Sequence, residues 1–295
     1  MTCKKCGHEN PPGTIYCSNC GYNLSWNAPP PPGVGSSLSH GWRVMWQNFW
    51  GLFLSVFIYY LFTVAIVFAS WFVYYRFTHN MFYFDMAIRR FALDQLSWEF
   101  ELVILGISVF ILIPLIFGVF SLFLGPVRGE KIKFGRILDG FRNYPSVVLV
   151  GVTYYLVLAG VFIFIGWLME VIIGLGVILL IAWLIVSIVL MCKLVFVPFL
   201  ITDRKMKGFN SIRESWRMSS GHAGQAFGIG VVMVLVALGL WLISWLLGLA
   251  FGSESITGGY IALAIMLLFL MVYFMWYISA FTSLYYAVGA SDRNS

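Results

Sequence analysis

The chain has 295 residues, of which 61% are hydrophobic, 18% aromatic and only 10% charged, against roughly 45–50% apolar and about 25% charged in an ordinary soluble domain. A mean hydropathy of +0.89 and several uncharged runs longer than the roughly 20 residues that cross a bilayer exclude a soluble globular enzyme and imply an all-α polytopic membrane protein. Its formal net charge is +6, from 18 Lys and Arg against 12 Asp and Glu.

Residues 1–22 are polar and hold Cys3, Cys6, Cys17 and Cys20. The two Cys-x2-Cys pairs are followed by Gly7 and Gly21, residues that let the backbone turn with positive φ. Four soft thiolates at this spacing are a tetrahedral zinc signature, and their closed shell leaves no position for water or substrate. The expected cofactor is one structural zinc per chain. So short a segment has almost no core, so metal binding has to contribute its folding free energy, on the order of 10–16 kcal/mol. Disulfide pairing is the competing reading. It is set aside because the topology derived below places these thiols in a reducing compartment. His8 reads as an exposed knuckle residue, and Cys192, inside an apolar run, as inert packing.

The stretch Cys3-Lys4-Lys5-Cys6-Gly7-His8-Glu9-Asn10, continuing through Gly13, Tyr16 and Cys17-Ser18-Asn19-Cys20-Gly21, resembles the short zinc-ribbon modules at the N-termini of many prokaryotic membrane proteins. That resemblance implies a zinc ribbon over residues 1–22. No apolar h-region of a signal peptide occurs in residues 1–20. Residues 23–40 form a linker, extended where Pro29 to Pro32 run together and flexible where Gly33, Gly35, Ser36 and Ser37 follow, so the module is tethered rather than packed.

Residues 41–290 form the membrane domain, with spans expected at about 51–75, 100–124, 147–168, 172–198, 224–250 and 260–288. Pro114 falls within the second and should kink it. Six spans put every one of the 18 Lys and Arg except Arg76, Arg89 and Arg90 on one side. The positive-inside rule makes that side, with both termini, cytoplasmic. The expected location is therefore a prokaryotic cell membrane, crossed several times. A basic inner face suits anionic lipid headgroups, and no feature points to nucleic acid.

Three segments share one pattern: Leu38-Ser39-His40-Gly41-Trp42-Arg43, Ile137-Leu138-Asp139-Gly140-Phe141-Arg142 and Ile212-Arg213-Glu214-Ser215-Trp216-Arg217. Each reads aliphatic, two variable, small, aromatic, Arg. In the later two, Phe134/Ile137/Phe141 and Phe209/Ile212/Trp216 fall at i, i+3, i+7 on one helical stripe. The pattern suits a short helix in the cytoplasmic headgroup layer with its Arg snorkelling outward. It divides the domain into three units of interfacial helix plus transmembrane hairpin, about 33–128, 129–207 and 208–290. The outer loop 76–99 then reads as an insertion, with Ile88, Phe91 and Leu96 on an amphipathic face. Val197 to Asp203 and Ser211 to Arg217 look like part of an uncharacterised polytopic family related to the membrane domain attached to some glycerophosphodiester phosphodiesterases, loosely over residues 36–288. That resemblance implies a membrane domain only, because the soluble phosphodiesterase domain is absent and no hydrolase activity carries over.

No ionisable residue is expected at a span centre: Glu101 and Glu170 fall at outer ends, and Lys193 lies near a cytoplasmic end. Ser55, Thr63, Ser108, Thr153, Ser187, Ser244 and Thr282 read as interhelical hydrogen-bonding residues, and Gly224-x3-Gly228 with Ala226-x3-Gly230 as close helix packing. Metalloprotease, nucleophile-elbow and phosphate-loop motifs are absent. Asp139 and Glu214 read as exposed surface charges. The expectation is a non-enzymatic membrane protein that anchors or organises a cytoplasmic protein partner through its zinc ribbon. The alternative is a transporter or lipid-handling protein without ion-coupling residues.

Overall fold

The computed structural model describes residues 2–3, 6–11, 14, 17–20, 29–78, 104–251 and 256–291. Among these there is no β-strand, only an isolated bridge between Thr2 and Glu9. The helices are α1 (Val34–Gln47), α2 (Phe49–Thr78), α3 (Ile113–Val127), α4 (Asp139–Arg142), α5 (Tyr144–Val171), α6 (Ile173–Leu194), α7 (Val197–Thr202), α8 (Gly208–Ser219), α9 (Ala223–Phe251) and α10 (Ile256–Ser291). Five described stretches are long and apolar enough to cross a bilayer: Phe49–Ser70, Ile104–Val127, Gly176–Thr202, Ala223–Leu246 and Ala264–Ser291. The remaining expected span, 147–168, falls within the 28-residue α5, whose apolar stretch among fully described residues is Tyr144–Tyr154.

Large apolar side chains on these helices face outward. Ile178 and Trp241 are each 65% exposed, and Leu235 is 62% exposed. A surface of that kind suits lipid rather than water. The outer-loop residues expected on an amphipathic face, Gly21 and Glu101 lie outside the described residues.

The chain divides into two compact units: Met1–Leu52 with Leu122–Lys133 and Met218–Ser295, and Phe53–Ser121 with Phe134–Arg217. In the second unit, the helix entering α3 passes through a π-turn at Ser108–Leu112, immediately before Pro114. Proline has no N–H for the carbonyl four residues back and its ring crowds that oxygen, so a widened turn is the natural response. The carbonyl in question, on Phe110, accepts a hydrogen bond from the Tyr144 hydroxyl at 3.1 Å. A neighbouring segment thus satisfies the group that Pro114 orphans.

The same unit is drawn tight by two glycines. A Cβ on Gly118 would stand 1.7 Å from the Ile137 carbonyl oxygen, and one on Gly140 1.9 Å from the Pro114 carbonyl oxygen. Phe117, Val147, Val197 and Ile201 form the core beside these contacts, and Asn143 Nδ2 donates to Ile201 O at 2.8 Å. The middle repeat is consequently not one continuous helix: a 3-10 turn over Phe134–Leu138 leads into the single turn of α4. Backbone-to-backbone approach at both glycines dictates its path, and the i, i+3, i+7 stripe expected there does not form as a regular α-helix.

In the first unit, α1 packs along α10 and also touches α9. A Cβ on Gly41 would lie 2.6 Å from the Ala280 backbone nitrogen. His40 Nδ1 and Ser283 Oγ are 2.9 Å apart, and Trp276 Nε1 donates to Leu38 O at 3.1 Å. On α9, a Cβ on Gly228 would meet the Val34 side chain at 2.6 Å, whereas Gly224 and Gly230 have open space. Only one of these three glycines therefore serves close packing.

Candidate metal centre and the repeated segments

The four cysteines of the N-terminal module converge. Their sulfurs all lie within 4.8 Å of one another, with Cys3 Sγ to Cys20 Sγ and Cys6 Sγ to Cys17 Sγ each 3.6 Å apart. A tetrahedron of Zn–S bonds of about 2.3 Å has edges of about 3.8 Å, so the donor set fits a zinc ion. The first knuckle turns as expected: Gly7 has φ +74° and its N–H donates to Cys3 O at 2.8 Å. Cys3 N–H donates to His8 O at 2.8 Å, closing the turn, while the His8 side chain is exposed.

Asn10 ties the two knuckles together, a role that spacing alone did not disclose. Its side chain is 4% exposed. Nδ2 donates to His8 O at 2.9 Å and lies 3.4 Å from Cys17 Sγ. Oδ1 accepts from Ser18 N–H at 2.9 Å and from Ser18 Oγ at 3.1 Å. Burial would push the Cys17 thiol up, but hydrogen bonds from the Cys20 and Asn19 backbone N–H groups and from Asn10 outweigh it and hold the thiol down at about 6. A thiolate at neutral pH is the form a metal binds.

The three repeated segments share a structural logic. The small residue of each is buried against a long apolar helix: Gly41 on α10 and Gly140 on the Pro114 turn, and fully buried Ser215, whose Oγ donates to Lys193 O on α6 at 2.8 Å. The residue before it bridges. His40 pairs with Ser283. Asp139 accepts from Ser121 Oγ at 2.8 Å and pairs with Arg142 at 3.0 Å. Glu214 pairs with Arg217 at 2.7 Å and with Arg204 at 3.5 Å.

The two acids are not the free surface charges expected, since the Asp139 and Glu214 side chains are 15% and 19% exposed. The hydrogen bond from Arg217 pulls the Glu214 carboxyl below its usual range against a smaller opposing effect of burial, with the Arg217 and Arg204 charges adding to the lowering. Burial, helped by the nearby Arg43 charge, pushes the His40 imidazole down to about 4.

Helices α1 and α8 bury several serines and expose aromatics beside their arginines. Ser211, Ser215 and Ser219 of α8 are fully buried, as is Ser37 of α1, whereas Phe209 is 58% and Trp46 50% exposed. Aromatic and Arg side chains together on an outward face suit the membrane interface. Lys193 is held near Trp216, its Nζ 5.5 Å from the ring centre, a cation–π contact. Polar groups within the apolar helices mostly bond locally rather than between helices: Thr63, Thr153 and Thr282 hydroxyls donate to the carbonyls of Tyr59, Leu149 and Ile278. Ser244 does reach across, to Met266 Sδ at 3.0 Å. A local carbonyl is always within reach of a helical Thr, which accounts for the difference.

Residues 2–24 match the zinc-ribbon domain family. No curated protein and no solved structure matches the chain, and the likeness of residues 36–288 to a phosphodiesterase-linked membrane domain gains no support from these comparisons. The chain combines a zinc-ribbon module bearing a four-cysteine metal-binding site with a set of helices suited to a membrane.

Proposed function

We propose that this is a non-enzymatic protein of the prokaryotic cell membrane with six spans in three hairpins and both termini cytoplasmic. One structural zinc per chain, held by Cys3, Cys6, Cys17 and Cys20, folds a ribbon that recruits a cytoplasmic protein partner. The observation that carries this reading is the closed sulfur cluster followed by a Pro/Gly/Ser linker and apolar helices: a four-thiolate site has no open position for chemistry, so recognition is the use left to it. The outward aromatics of α1 and α8 support contact with lipid headgroups on the inner face. Native-membrane co-purification tests the reading. The wild type should bring down a reproducible protein partner that is lost in the Cys3→Ser/Cys6→Ser variant, and a partner set unchanged by that variant would sink it.

A second reading, lipid handling without ion coupling, is favoured by one observation, the apolar cavity of the second unit described next.

A further inference from the structure

Within the second unit, a cavity of about 430 Å³ lies between the helix carrying the Pro114 turn and α5, α6, α7 and α8. That volume is within the roughly 300–1,000 Å³ of small-molecule sites. Its wall is almost wholly apolar. Among the lining residues, Thr153 and Tyr154 alone carry a side-chain oxygen, and the Thr153 hydroxyl is already committed to Leu149 O at 2.8 Å. Nothing in the wall calls for a polar ligand.

On α5 the lining runs from Val150 to Val157, about two helical turns or roughly 10 Å. At the outer side Tyr154 and Val157 are 38% and 42% exposed, so the cavity opens toward the surface that lipid covers. At its other end it is roofed by Ile212 of α8. Ile212 also lines a second, polar hollow on α8 together with Arg213, Glu214 and Arg217. In that hollow Glu214 is engaged by Arg217 and Arg204, whereas Arg213 is exposed and has no ion pair among the described residues. An apolar slot and a cationic hollow thus meet at one residue.

We propose that the second unit binds an anionic glycerophospholipid, with one acyl chain in the cavity beneath Ile212 and its phosphate against Arg213. The apolar wall selects the chain and the unpaired guanidinium selects the charge. The inference rests on the membrane placement proposed above and deepens the lipid-handling reading.

The full-length protein, purified in mild detergent, is titrated with dioleoyl phosphatidylglycerol, dioleoyl phosphatidylcholine or inorganic phosphate and read by native mass spectrometry. The wild type should retain the phosphatidylglycerol at least about fivefold better than the phosphatidylcholine, and phosphate should not displace it. Val157→Trp, which fills the exposed mouth, should weaken retention of both lipids by about tenfold or more. Arg213→Glu should abolish the preference by weakening phosphatidylglycerol retention more than phosphatidylcholine retention. Gly151→Leu is a second blocking variant, since the three atoms nearest its Cβ belong to the movable Ile113 side chain. Equal retention of the two lipids by the wild type, displacement by phosphate, or lipid retention unaltered in both blocking variants would overturn the proposal. Membrane fractionation measured alongside keeps the two ideas apart: a wild type that leaves the membrane fraction contradicts the membrane placement, whatever the lipid titration reads.

Discussion

The N-terminal ribbon and the three repeated segments are both short, yet they are held by different physics. The ribbon is organised around four sulfurs, and among its described residues Cys3 and Cys17 are the buried apolar pair. Without ion ligation, an assembly of that size has too little buried surface to offset chain entropy. The repeated segments have no such centre. Each is held where a glycine or serine lets its backbone approach a long helix, as Gly41 does at Ala280 and Gly140 at Pro114. The difference teaches that the ribbon's stability should depend on metal and reducing conditions, and that of the segments on side-chain volume at one position.

Metal removal is the largest way to break the comparison. Chelation should unfold the ribbon, forfeiting on the order of 10–16 kcal/mol of binding-linked stability, while thermal unfolding of the membrane domain shifts little. A common shift of both in a domain-resolved proteolysis assay would show that they are not independent. Gly140→Ala should do the opposite. Its Cβ would sit 1.9 Å from a backbone oxygen, and the forced separation should cost about 1–3 kcal/mol or more in membrane-domain stability, with zinc content unchanged.

Asn10→Ala should lower metal affinity by about 10–100-fold in a competition titration with a chromogenic chelator, because it removes the hydrogen bonds joining the two knuckles. Ser215→Ala is milder, costing about 1 kcal/mol by leaving the Lys193 carbonyl without its 2.8 Å donor. A further effect is titrational. His40 is held neutral down to about pH 4, while an unfolded histidine takes up its proton near about 6.5. The unfolded state therefore binds more protons between those values, so stability is complete above the upper one and declines as pH falls toward the lower. Melting in detergent at pH 7.5 and at pH 5 should differ for the wild type and not for His40→Gln.

Ligand chemistry is local, so the metal-binding cysteines could be read directly from their spacing. Asn10 could not, because its function depends on the chain returning to Ser18. The repeats were legible as small-aromatic-Arg triplets, and their Trp42 and Trp216 are exposed. Their supports were not. Gly41 meets Ala280 across most of the chain, and the Tyr144 hydroxyl finds the carbonyl orphaned by Pro114; such pairings come from tertiary folding and leave no periodic trace. Asp139 and Glu214 were misread for the same reason: a carboxylate beside an arginine three residues on looks like an ordinary surface pair until Ser121 and Arg204 arrive from elsewhere.

The most direct test of a zinc ribbon facing the cytoplasm is thiol labelling in oriented vesicles. A Cys192→Ser background leaves only the four ribbon cysteines, and a membrane-impermeant maleimide is applied to inside-out and right-side-out vesicles with and without a chelator. The account predicts labelling in inside-out vesicles alone, and there only after chelation. Labelling in right-side-out vesicles, or equally fast labelling without chelator, would contradict it.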